Sequence, residues 1–140
     1  MPAMERSFPR DLISLDSIFE MISDFVSANQ VGEAAAFAVR LAVEELFVNM
    51  VKYNPGKTNA IRIKVSRDGA RLSVSITDSG VERFDVTKAP EYYGSLSLAA
   101  RRPGGLGIHL TRRMMDDVKY TYENGQSTIT LTKLLGGSNV

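Results

Sequence analysis

The chain has 140 residues, 44% hydrophobic and 24% charged, with 17 basic against 16 acidic side chains and a net charge of +1. This length predicts a single domain, 1–140, that buries roughly two-thirds of its unfolded surface, and the balanced charge gives no reason to expect nucleic acid as a partner. Without cysteine, and with one histidine, the chain has no disulfide framework, thiolate nucleophile or multi-His metal centre. Any chemistry must use carboxylates, hydroxyls, amides or glycine backbone.

Met1 to Arg10 is polar and interrupted by proline, unlike a signal peptide. No apolar run nears the roughly 20 residues that span a bilayer, so a cytoplasmic location and no membrane partner are expected. Ser7 to Ser14 reads as a short edge strand, weakened by Pro9. Leu15, Ile18, Phe19, Ile22, Phe25 and Val26 then recur at helical spacing, with Asp16 or Ser17 as the cap. After Gly32 a longer helix is predicted from Glu33 to Tyr53, stopped by Asn54-Pro55-Gly56. Two alternating runs follow, Ile61-Ile63-Val65 and Leu72-Val74-Ile76, with Asp68-Gly69 as a tight turn between them.

Beyond Asp78-Ser79-Gly80 the periodicity is lost, and residues 81–103 read as a long functional loop. Gly104-Gly105-Leu106-Gly107 opens a third helix, Ile108 to Val118, with the lone His109 on its polar side. A second hairpin joins Lys119–Glu123 to Ser127–Lys133 through Asn124-Gly125. The tail, 136–140, is expected to fray. This order predicts an α+β two-layer sandwich, with three helices on one face of a largely antiparallel mixed sheet.

Three polar features interrupt the apolar pattern. The second helix is apolar almost around its circumference, which predicts burial, yet Glu45 and Asn49 sit one turn apart within it. They are either an exposed pair or a buried functional one, for which a carboxylate needs a partner. Asp78 continues the parity of Leu72, Val74 and Ile76, so it either faces the helix layer or begins a turn with Gly80. Ser127 shares the parity of Ile129 and Leu131. The glycine cluster before the third helix is either a turn or an anion cradle, because a helix N-terminus presents free N–H groups. Together these features offer a metal-side ligand, a base, a nucleobase acceptor and a phosphate cradle.

In that order and on those elements, the sequence resembles the GHKL ATP-binding domains, and within them the anti-sigma-factor serine/threonine kinases of bacterial partner-switching systems. Val43-Glu44-Glu45-Leu46-Phe47-Val48-Asn49 is similar to the N-box, Asp78-Ser79-Gly80 to the first glycine box, and Gly104-Gly105-Leu106-Gly107-Ile108 to the second. The similarity runs from about Phe8 to Leu135. It implies a histidine-kinase-like ATPase fold, with ATP and Mg²⁺ as cofactors and 81–103 as a lid over ATP. Glu45 would orient or deprotonate the attacking hydroxyl, and Asn49 would ligate Mg²⁺. Asp78 would accept from the adenine amine with Ser127 supporting it through water, and Gly80 completes that box. Gly104, Gly105, Leu106 and Gly107 would line the phosphates, with Gly105 and Gly107 offering backbone amides. The departures are Glu82 where the first glycine box has a second glycine, and Tyr53 where a histidine often follows the N-box.

The implied activity is ATP-dependent phosphorylation of a serine or threonine on a small antagonist protein, with a sigma factor or similar regulator as the competing partner. The resemblance leaves room for a homodimer. The alternatives are a nucleotide-dependent module that sequesters its partner without phosphotransfer, or a slow ATPase.

Overall fold

The computed structural model describes residues 2–53, 59–79 and 111–136. Five strands form one sheet in the order β1-β2-β3-β5-β4, every neighbouring pair antiparallel. They are β1 (Ala3–Phe8), β2 (Ile61–Asp68), β3 (Arg71–Ser79), β4 (Asp117–Glu123) and β5 (Gln126–Leu134). Two helices, α1 (Leu15–Ala28) and α2 (Glu33–Tyr53), share its core, and residues 111–114 are the helical end that leads into β4. This is the expected two-layer sandwich, with the described sheet antiparallel throughout.

The core follows from two periodicities. In α1 the buried residues are Ile18, Met21, Ile22 and Phe25, a stripe at spacings of three and four. In the strands every second side chain points to the helices: Ile61, Ile63 and Val65 in β2, Leu72, Val74 and Ile76 in β3, Ile129 and Leu131 in β5. On the opposite face Arg62 and Lys64 are exposed, and Thr77 Oγ1 lies 3.0 Å from Thr128 Oγ1. Ala38, Val39, Ala42, Val43, Leu46 and Phe47 form the buried stripe of α2. The helix is not buried all round as its composition predicts, since Phe37 is 56% exposed and Leu41 and Val48 are half-buried.

Three boundaries differ from expectation. The edge strand is Ala3–Phe8 rather than Ser7–Ser14, because the chain turns at Pro9, whose carbonyl accepts from Asp11 N at 2.8 Å and Ser14 Oγ at 2.8 Å. A 3-10 turn, Leu12–Ser14, follows, and its cap is Asp11, whose carboxylate accepts from Ile13 N at 3.0 Å. Neither Asp16 nor Ser17 caps α1, which starts at Leu15 straight out of that turn. The third helix ends at residue 114, not at Val118, which lies in β4. Lys133 Nζ donates to Met114 O at 2.8 Å, and Asp116 N donates to Thr132 O at 2.9 Å, so the backbone enters sheet pairing there.

Both hairpins use positive φ where glycine supplies it. In the first, Asp68 pairs with Arg71, so the two turn residues are Gly69 and Ala70, one position later than expected. Gly69 has φ +60° and Ala70 does not take positive φ, the pattern of a II′ turn. In the second, Asn124 (φ +54°) and Gly125 (φ +76°) are both left-handed, which is the I′ pattern. Gly125→Ala meets no steric obstacle within 4 Å, so its cost is backbone strain alone. We expect a loss of about 1 kcal/mol and a Tm lower by roughly 3 °C in thermal melts.

Candidate functional site

Both polar arms of the site lie among apolar neighbours. Asn49 falls in the last two turns of α2 and is 5% exposed, between the buried Phe47 and the half-buried Met50. Glu45, one turn earlier on the same side, is half-buried. Asn49 therefore does not face solvent, while Glu45 is partly accessible. Asp78 is 2% exposed at the end of β3, on the face of Leu72, Val74 and Ile76. It does not begin a turn: the strand continues through Ser79, and Asp78 pairs with Ile61 on one side and Ser127 on the other.

Ser127 is 7% exposed and stands directly opposite Asp78 in the register. Its Oγ lies 3.1 Å from the hydroxyl of Tyr120, a residue the sequence reading did not single out. Strand parity carries that signal, because Tyr120 pairs with Ile129 and so shares the inward face with Ser127. Gly80, Gly104, Gly105, Leu106 and Gly107 lie outside the described residues, as do the 81–103 segment, Glu82 and His109.

Arg10 was also missed, and no local pattern marks it. Its side chain is 3% exposed and forms an ion pair with Asp78, whose side chain is likewise 3% exposed. The same guanidinium donates through Nη1 to Met50 O at 2.9 Å and through Nε to Asn59 O at 3.2 Å. Burying a carboxylate is costly unless it is paired and hydrogen-bonded, and Arg10 meets both conditions for Asp78. The pair also joins the two arms of the site, since Met50 follows Asn49 on α2.

The donor set suits a hard divalent cation. Asn49 offers a carboxamide oxygen and Glu45 a carboxylate, and among the described residues no cluster of three or more His, Cys, Asp or Glu could hold a metal alone. Mg²⁺ is bound in this sparse way, by one or two protein oxygens with phosphate oxygens and water completing its shell. Among the described residues, no helix is long and apolar enough to cross a membrane.

Comparison with known proteins agrees with the fold. The histidine kinase-like ATPase domain pattern matches residues 8–133. The chain is 31% identical over 98 residues to the serine/threonine-protein kinase BtrW of Bordetella bronchiseptica, covering 69% of this chain and 68% of that one. It is 30% identical over 108 residues to the serine-protein kinase RsbW of Bacillus subtilis, covering 73% and 66%. The chain thus spans about two-thirds of the length of these relatives. Among solved structures, the RsbU and RsbW domains of a Mycobacterium tuberculosis protein superpose with a TM-score of 0.69 at 13% identity, over 96% of this chain and 33% of that one. The SiaB–SiaC complex from Pseudomonas aeruginosa gives 0.63 at 13% identity, over 92% and 88%. The fold is therefore shared well beyond the reach of sequence identity, and the match over residues 8–133 makes this chain a member of the histidine kinase-like ATPase domain family.

Proposed function

We propose that the chain binds ATP with Mg²⁺ and transfers the γ-phosphoryl group to a serine or threonine hydroxyl of a small antagonist protein. In this reading it is a kinase of a partner-switching system whose competing partner is a sigma factor or similar regulator. The observation that carries the reading is the burial of Asn49 and Asp78 on facing elements, bridged through Arg10. Kinship with serine-protein kinases at 30–31% identity supports the choice of reaction.

Each residue then has a physical task. Asp78, acceptor-only when ionised, takes a hydrogen bond from the exocyclic amine of adenine, which guanine lacks at that position. Ser127, beside it and tied to Tyr120, offers a second polar contact at the base edge. Asn49 and the phosphates would hold Mg²⁺, which supplies charge compensation as the phosphoryl group moves. Glu45 accepts the proton of the attacking hydroxyl as its oxygen bonds to the γ-phosphorus and the bond to the β-phosphate oxygen breaks, leaving ADP. Gly80 and the stretch Gly104, Gly105, Leu106 and Gly107 complete the base and phosphate contacts in this proposal.

Calorimetric titration with ATP in millimolar Mg²⁺, followed by transfer of labelled phosphate to a candidate antagonist, tests the reading. Saturable binding of ATP with weaker binding of GTP is expected. Asn49→Ala is expected to bind ATP about tenfold more weakly with Mg²⁺ and to lose the gain that Mg²⁺ gives the wild type. No ATP binding, or equal affinity for ATP and GTP, would overturn the assignment.

A further inference from the structure

Arg10 does more than neutralise a buried acid. Met50 O lies in the last turn of α2, where a cation meets the favourable end of the helix dipole. The guanidinium is planar, so its bonds to Met50 O, Asn59 O and Asp78 are fixed in relative direction. One rigid fork therefore links the carbonyl of Met50, the residue after Asn49, with the chain entering β2 and the carboxylate at the end of β3.

We propose that Arg10 is a positioning residue for base selection. It occupies one oxygen of Asp78 and holds the carboxylate at a set angle and distance from the C-terminal turn of α2. The second oxygen then meets the amine of a 6-aminopurine whose phosphates lie at Asn49. The inference rests on the nucleotide reading given above and adds to it a residue, outside the three motifs, on which selection depends. Three anchors, two of them backbone carbonyls, suit a fixture that stays in place when ligand binds rather than one that swings away. Lysine keeps the charge but presents a single ammonium, which cannot reproduce three diverging bonds in one plane.

The test compares ATP with purine riboside triphosphate, which has the same ring system and phosphates but hydrogen in place of the amine. Dissociation constants for both, in Mg²⁺, are measured on the full chain and on Arg10→Lys. The wild type is expected to prefer ATP by about tenfold or more, because a site built around a hydrogen bond rejects the analogue that lacks it. Arg10→Lys is expected to bring that ratio to within about threefold of unity, while affinity for purine riboside triphosphate is kept. A purely structural role would weaken both nucleotides alike, so an unchanged ratio in Arg10→Lys overturns the proposal and leaves the nucleotide reading standing. A wild-type ratio near one overturns the base-acceptor role of Asp78 and the proposal with it. Should Arg10→Lys fail to fold by circular dichroism, the Arg10 Nε–H resonance of the wild type decides. A shift with ATP but not with purine riboside triphosphate supports the proposal; the same response to both overturns it.

Discussion

Glu45→Ala is expected to bind ATP as the wild type does and to transfer phosphate at least about 100-fold more slowly. The substitution suits the helix, since alanine has the highest helix propensity and Glu45 is half-buried, so no cavity opens in the core. Asn49, a turn away, is itself buried and untouched by the substitution, so the proposed metal-side contact is expected to be kept. On the proposed mechanism, what is lost is the group that accepts the hydroxyl proton as the new bond to phosphorus forms. Single-turnover transfer of labelled phosphate measures this directly, and calorimetry on the same sample reports binding separately. Glu45→Gln, which keeps the shape and removes the proton acceptor, should behave like the alanine variant. Full transfer activity in Glu45→Ala would end the base assignment, whereas ATP binding without any transfer in the wild type would make a nucleotide-dependent binding module the better account.

The second large effect concerns stability. Asp78→Ala leaves the Arg10 guanidinium buried without its carboxylate, and a loss of about 3 kcal/mol is expected in urea denaturation. The same holds for Arg10→Met alone, which leaves Asp78 buried without its cation. The informative measurement is the double variant, Arg10→Met with Asp78→Leu. Apolar replacement of both members of a buried pair is often neutral, so it should be more stable than either single variant. It should also fail to bind ATP, which would separate what the pair does for folding from what it does for the ligand. Additive losses in the double variant would show that the two side chains stabilise the fold independently.

Local chemistry made much of the fold readable. The bounds of α2 coincide with expectation because Gly32 and the Asn54-Pro55-Gly56 run punctuate a long apolar pattern. β2, β3 and β5 were legible because one face is buried, which enforces alternation. β1 was not, since five of its six residues are exposed and no alternation marks it. The end of the third helix was misplaced because Met115 and Val118 fit a helical stripe as well as a strand entry, and only pairing with β5 decides between them. Within the site, the inward direction of Asp78 and the burial of Asn49 follow from periodicity. Arg10 could not be found that way: its partners lie 40, 49 and 68 positions away, and such contacts exist only once the fold does.

The strand order has a consequence for how the domain assembles. Asp78 and Ser127 are adjacent across β3 and β5, yet 49 positions separate them in the chain, whereas β2 and β3 meet through a two-residue turn. Bringing such distant segments together costs loop-closure entropy before their contacts contribute, so this pairing belongs to the slow part of folding. That entropy grows only with the logarithm of length, and doubling the intervening chain would cost about 0.6 kcal/mol. The pairing of Asp78 with Ser127 can therefore keep its register at small cost if the sequence between β3 and β4 changes length.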